Sequence, residues 1–325
     1  MKKLYTIGFL FVAGLSFGQA ALPFTESFSY EVDSNLGGQG GWVNVNTGDE
    51  IVVATGNLSY SGLMASSGNQ VTFGGGGIDA QIEYVAQTTG VVYASFIVNT
   101  AEVANVTDPN GGYFAGFADT STTFASTVWI KPSDAGFVFG LNKSTGTTEI
   151  VWDTTVYNTN TSVFIVIDYN IEDATSHMWI NPTSFGATTP PAATLTAGTG
   201  TSRTSLGRFF IRQDSATETP SVMSLDELRI ATTYASVTPA STAGLSSNQI
   251  TNLKIYPNPV SGNILNITSN SNGVKAVAIF DVLGKQVINT TTVNNTVDVA
   301  NLNAGIYMVK ITEEGKTATR KLVKQ

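Results

Sequence analysis

Ile78-Asp79-Ala80-Gln81-Ile82-Glu83-Tyr84-Val85-Ala86 alternates apolar and polar side chains along most of its length. A β-strand, whose successive side chains point to opposite faces, converts that order into one oily and one wet face. Strands with the same alternation are predicted outward from it, at residues 50–54, 91–99, 113–118, 127–131, 136–141, 149–153, 163–171, 177–180, 206–212 and 221–230. Turn clusters separate them, among them Asp108-Pro109-Asn110-Gly111-Gly112, Asn142-Lys143-Ser144-Thr145-Gly146 and Gly198-Thr199-Gly200. This spacing predicts an all-β protein whose body, residues 21–239, is a large two-sheet, jelly-roll-like sandwich with alternate side chains filling the gap. Gly74-Gly75-Gly76-Gly77 precedes a strand and lacks the Lys-Ser/Thr end of a phosphate loop, so it reads as a turn.

The chain has 325 residues and no cysteine, which removes disulfides, zinc-thiolate sites and thiol nucleophiles together. A body of this size buries roughly 70% of the surface its unfolded chain exposes, so it needs no staples. The net charge of -8 conceals an asymmetry. After residue 240 there are eight basic and four acidic residues, giving +4; before it, leaving out Lys2 and Lys3, six basic residues face 20 acidic ones, giving -14. A body so acidic repels phosphate backbones, which excludes nucleic acid as a partner and fits solubility, calcium or neutral polymers.

The two ends carry their own patterns. Lys2 and Lys3, an apolar run from Leu4 to Leu15 and the small or polar Ser16-Phe17-Gly18-Gln19-Ala20 have the layout of a secretory signal peptide over residues 1–20. The run is too short to span a bilayer. At the other end, residues 240–250 are a linker of small residues. Beyond it Val277, Ile279, Val282, Val287, Val293, Val297, Val299, Ile306, Met308 and Ile311 alternate with polar residues, which predicts a small Ig-like β-sandwich of about seven strands over residues 251–325.

Three blocks of that tail carry a resemblance. Tyr256-Pro257-Asn258-Pro259, Ile279-Phe280-Asp281-Val282-Leu283-Gly284-Lys285 and Leu302-Asn303-Ala304-Gly305-Ile306-Tyr307-Met308-Val309-Lys310, with the basic end Arg320-Lys321-Leu322-Val323-Lys324, are similar in order and spacing to the C-terminal sorting domain of the type IX secretion system of Bacteroidetes. The resemblance implies docking on the outer-membrane translocon, removal of the tail by the sorting peptidase, and a body that is released or joined to anionic lipopolysaccharide at the cell surface. It implies sorting roles for Tyr256, Pro257, Asn258, Pro259, Asp281, Gly284, Gly305, Tyr307, Lys321 and Lys324.

The body resembles, more broadly, extracellular sandwich modules of the concanavalin A-like lectin/glucanase and laminin-G kind. The residues that carry this are Val151-Trp152-Asp153, Met178-Trp179-Ile180-Asn181-Pro182, Ser205-Leu206-Gly207-Arg208-Phe209 and Leu225-Asp226-Glu227-Leu228-Arg229-Ile230. That architecture hosts lectins, hydrolases and adhesins, so it leaves activity open. A glycoside hydrolase needs two carboxylates about 5–9.5 Å apart. Asp79 and Glu83, on one strand face, have backbones roughly 13 Å apart. The Glu-x-Asp-x-x-Glu signature of the laminarinase-like enzymes is missing, and no catalytic residue is assigned.

Binding has better candidates. His177, Trp179 and Asn181 would share one strand face as a sugar platform, and Trp42, in the glycine-rich stretch 37–41, is expected to be an exposed ring, whereas Trp152 is expected in the core. Asp108, Asn110 and Asp119 could give oxygen ligands to calcium, or simply form Asx-type turns. The sequence therefore predicts an exported protein whose body binds extracellular polysaccharide. A polysaccharide hydrolase or lyase, and a structural surface protein with no small ligand, are the alternatives.

Overall fold

The computed structural model describes residues 19–121, 123–241, 250–271 and 273–325. Most of the predicted signal peptide, residues 1–18, and of the linker, residues 242–249, lies outside the described residues. The chain divides between Ser241 and Thr242 into two compact units.

The first unit is all β apart from single turns of helix. Its strands are β1 (Phe24–Glu26), β2 (Trp42–Val45), β3 (Val52–Ala54), β4 (Gln70–Phe73), β5 (Asp79–Gln87), β6 (Val91–Thr100), β7 (Gly112–Ala118), β8 (Phe124–Ser133), β9 (Gly136–Asn142), β10 (Val151–Trp152), β11 (Val163–Asn170), β12 (Thr175–Ile180), β13 (Leu195–Ala197), β14 (Leu206–Ile211) and β15 (Met223–Ala231). A short helix, α1 (Tyr234–Val237), follows. Sheet 1 runs β13-β12-β11-β6-β15-β4-β3, with β1 also on β15; sheet 2 runs β10-β9-β8-β7-β14-β5-β2. The pairings within both sheets are antiparallel. β1, β2, β4 and β13, each three or four residues long, have no counterpart in the sequence reading.

Alternation does what the sequence promised. Ala80, Ile82 and Tyr84 of β5, Phe137, Phe139 and Leu141 of β9, and Val163, Ile165, Ile167 and Tyr169 of β11 all enter one core between the sheets. Each of the Val, Ile, Leu and Phe side chains contributes roughly 1.5–3 kcal/mol by leaving water.

The outer face of sheet 1 carries a second, smaller core of Tyr93, Ile97, Phe164, Val166 and Trp179, covered by Leu63, Tyr234 and Val237. What fastens that cover is the closing strand. Between Asp226 and Arg229 the β15 register slips, with Glu227 at a φ of 54°. There Asp226 Oδ2 accepts the Leu58 amide at 2.8 Å, Glu227 Oε1 accepts the Ser67 amide at 2.7 Å, and the Arg229 guanidinium clasps Glu227. The Asp-Glu-Leu-Arg-Ile run is thus a bulge that pins the β3–β4 loop onto the sheet.

The second unit is a small sandwich of seven strands: β16 (Lys254–Tyr256), β17 (Ile264–Thr268), β18 (Ala276–Phe280), β19 (Gln286–Thr291), β20 (Thr296–Asp298), β21 (Gly305–Glu313) and β22 (Lys316–Lys324). They form the sheets β16-β17-β20 and β19-β18-β21-β22. Val277, Ile279, Val297, Val299 and Ile311 are buried as expected, but β21 turns Tyr307 and Val309 inward and leaves Ile306 and Met308 exposed. In a strand with apolar residues on both faces, the period fixes the spacing and not the side. Val282, Val287 and Val293 also stand exposed.

Candidate functional site

On the outer face of sheet 1, strand register assembles a polar row beside the covered aromatic core. Thr196 pairs with His177, His177 with Asp168, and Asp168 with Tyr93, one residue from each of β13, β12, β11 and β6. At about 4.8 Å per strand the row spans roughly 14 Å. Trp179, two residues along β12, adds its ring 5.9 Å from His177 and 6.2 Å from Tyr93. Pro190 and Pro191 wall the far side, and Trp179 Nε1 donates to the Pro191 carbonyl at 2.9 Å. The result is a groove of about 440 Å³ lined also by Asn170.

The row's electrostatics follow from burial. Asp168 Oδ1 accepts from the His177 amide and lies 2.9 Å from His177 Nδ1, while its Oδ2 has no partner among the described residues. The hydrogen bond to Asp168 holds the His177 imidazole above its ordinary value, outweighing partial burial, and burial in turn pushes Asp168 up. His177 remains half-exposed, so it can meet a ligand from its other ring edge.

Of the three residues predicted for this platform, His177 and Trp179 come together, with Trp179 buried at 4% exposure, and Asn181 does not join them. Asn181 follows the end of β12 at a φ of 51°, and its Oδ1 accepts the Phe164 amide at 2.9 Å, so it closes the strand end instead of facing the groove. Trp42 is not an exposed ring. It is 1% exposed, packs against Phe28, and donates Nε1 to Glu26 Oε2 at 3.1 Å. Its glycine-rich neighbourhood is a turn packed over β5, and composition alone does not distinguish a tight turn from a displayed loop.

The outer face of sheet 2 holds a second feature that the sequence reading missed. Tyr113, Trp129 and Phe210 cluster there with Phe124 and Trp152 against them. Trp152 is therefore half-buried on this face, outside the core between the sheets, with Lys131 Nζ 4.1 Å over its ring. Gly140 opposes both Trp129 and Trp152 in register, and a Cβ there would lie 2.8 Å from the Trp152 ring, so only glycine leaves the ring its place. One end of this face opens into a hollow of about 310 Å³ lined by Asp108, Asn110, Tyr113, Trp129, Thr145, Thr147, Arg212, Asp214 and Glu218. Arg212 lies 4.1 Å over the Tyr113 ring and pairs with Asp214. A hydrogen bond with Asp214, with burial behind it, pushes the Glu218 carboxyl up to about 7. A signal existed in Trp129 and Tyr113, both at alternating positions opposite the core-facing residues of their strands, but cross-strand register is needed to join them.

Of the predicted calcium ligands, Asp108 and Asn110 lie together and Asp119 lies apart from them. Asp108 Oδ1 accepts the Asn110 amide at 2.8 Å, and Asp119 Oδ1 accepts the Ser121 and Thr123 amides, so each forms a local turn. They flank opposite ends of β7, roughly 20 Å apart. Among the described residues no group of three or more His, Cys, Asp or Glu is placed to hold a metal ion.

In the tail, Asn258 ties the Tyr-Pro-Asn-Pro turn to β22: its Nδ2 donates to the Lys321 carbonyl at 2.8 Å and its Oδ1 accepts the Val323 amide at 2.9 Å. Asp281 Oδ1 accepts the Leu283 and Lys285 amides, closing a turn that Gly284 completes at a φ of 82°. Tyr307 is buried, with its hydroxyl donating to the Asn303 carbonyl at 2.9 Å, and Gly305 opens the same strand. Lys321 and Tyr256 are exposed, whereas Lys324 is buried beside the chain end.

Residues 254–325 match the family described as the secretion system C-terminal sorting domain. The tail is a sorting domain. A sorting domain of this kind implies interaction with the type IX secretion machinery and export to the cell surface or the extracellular space. No described helix is long and apolar enough to cross a membrane. No curated protein matches the chain. Among solved structures it is similar to a sialidase (TM-score 0.38, 10% identity, 68% of this chain and 19% of that one). It is also similar to domain 4 of a GH43 extracellular arabinanase from Geobacillus stearothermophilus, solved with arabinotriose (0.39, 13%, 66% and 93%), and to the calreticulin globular domain of T. cruzi (0.38, 8%, 64% and 87%).

Proposed function

We propose that this protein is exported by its sorting domain and that its body binds extracellular carbohydrate in the groove formed by His177, Asp168, Tyr93, Thr196 and Trp179. The observation that carries the reading is the cross-strand row itself. The edges of the buried Tyr93 and Trp179 rings line one side, and a carboxylate oxygen, an imidazole edge and the Thr196 hydroxyl stand within one hollow. Sugar rings offer an apolar C–H face and a rim of hydroxyls, and this pairing of surfaces suits both. Residues 1–20 would direct the chain to the periplasm, and the sorting domain would carry it onward from there. Tyr256 to Pro259, Asp281, Gly284, Gly305, Tyr307, Lys321 and Lys324 shape or display the surface that the machinery reads.

Affinity electrophoresis of the mature full chain through gels containing plant, algal and bacterial polysaccharides tests the reading. Retardation by one polymer, weakened in His177→Ala under conditions where the variant remains folded, is the expected result. Unaltered migration in every gel would reject carbohydrate binding and favour a structural surface protein.

A further inference from the structure

The hollow on sheet 2 has features that the turn geometry around it does not account for. Among the described residues, the half-exposed Asn110 side-chain amide and Asp108 Oδ2 and the exposed Thr145 and Thr147 hydroxyls have no protein partner and so are free to meet a ligand, and all four line one concavity. Its floor is the buried Tyr113 and Trp129, 5.1 Å apart and tilted by 46°, set by direct pairing of β7 with β8, with the Arg212 guanidinium over the Tyr113 face. A concavity rimmed by mixed hydrogen-bond donors and acceptors on an aromatic floor is a surface for a polyhydroxyl ligand, held by the rim more than by ring stacking.

Charge narrows the class. Three carboxyl groups, Asp108, Asp214 and Glu218, stand against one guanidinium, and that guanidinium is already committed to Asp214 and to the Tyr113 ring. A uronate or sulfate group entering here would meet acids with no free cation to answer it.

We propose that the hollow framed by Asp108, Asn110, Tyr113, Trp129, Arg212 and Glu218 is a second saccharide site, selective for uncharged sugars, on the sheet opposite the His177 groove. The proposal rests on the carbohydrate reading of the body and extends it. Two sites on opposite sheets of one sandwich make the body bivalent, able to bridge two polymer chains.

The test uses the mature full chain, soluble galactomannan and xyloglucan as neutral probes, and alginate as the anionic one. Retardation in gels and turbidity of mixtures are read together for wild type, Asn110→Ala/Glu218→Ala, His177→Ala and the combined variant, each checked to be folded at the assay temperature. A neutral polymer should retard the wild type and turn cloudy with it. Each single-site variant should bind about tenfold more weakly, the loss of one or two hydrogen bonds, and stay clear. The combined variant should migrate freely, and alginate should show no dependence on Asn110 or Glu218. If a neutral polymer binds but the Asn110/Glu218 variant matches wild type in both readouts, the second site is rejected while the first stands. If no neutral polymer retards the wild type, the second site is rejected; retardation by alginate alone, lost in His177→Ala, would still leave the first site in place.

Discussion

His177 Nδ1 stands 2.9 Å from Asp168 Oδ1, and Asp168 is 3% exposed, so the chain's single histidine is held by a carboxylate that has almost no water of its own. The hydrogen bond favours the imidazolium, so His177 should titrate above 6.5. One imidazole resonance followed by NMR across pH 5–9 gives the value directly. Asp168→Asn should lower it, and an unchanged midpoint would mean the contact does not govern the ring's charge.

Several groups tie stability to pH with one sign. Burial leads in raising Asp79 to about 6 and Asp226 to about 7, and raises Asp168; Glu218 reaches about 7 through Asp214. Each binds its proton more tightly folded than unfolded, so its contribution is full below the ordinary carboxyl value near 4 and is lost as pH rises through the folded one. His177, also raised, contributes below 6.5 and loses that contribution above it. The melting temperature of the body should therefore fall between pH 4.5 and pH 7.5, and Asp226→Asn should flatten the slope. A melting temperature that climbs over this range would contradict the assignment.

Glu26 accepts from the Phe28 amide, the Tyr30 hydroxyl and Trp42 Nε1 at 2.8, 2.6 and 3.1 Å. Glu26→Ala orphans all three donors in or near the core and should cost about 3 kcal/mol in urea unfolding. Trp42→Phe keeps most of the packing and should cost less. The reverse order would indicate that the ring, and not the carboxylate, organises this corner.

Lys275 is fully buried in the sorting domain, with Nζ 2.9 Å from Glu313 Oε1 and further bonds to the Ser271 and Gly273 carbonyls. Lys275→Ala leaves a buried acid unpaired, at a cost of about 3–5 kcal/mol to that unit. Cells carrying this variant should retain more protein in the periplasm, and deletion of residues 254–325 should retain all of it. Normal secretion of the deletion would overturn the role of the tail.

The long strands were legible because β5, β6, β9 and β11 each bury a full period-2 series, and the sorting domain because its turns sit at fixed offsets around Asn258, Asp281 and Gly284. The site was half legible. His177 and Trp179 alternate within one strand, so their common face follows from sequence; Asp168, Tyr93 and Thr196 join them only through register between strands distant in the chain. Trp42 and Trp152 were misread in opposite directions for a related reason. Burial depends on what covers a residue, here Glu26 and Phe28 over one ring and the absence of a second layer over the other.

The carbohydrate reading is tested most directly by following the His177 imidazole resonance of the mature chain while adding the polysaccharide that retards it in gels. Binding in the groove should shift that resonance in a saturable way, with an affinity that matches the gel. A polymer that binds with the same affinity and leaves the resonance where it was would place the site elsewhere and contradict the account.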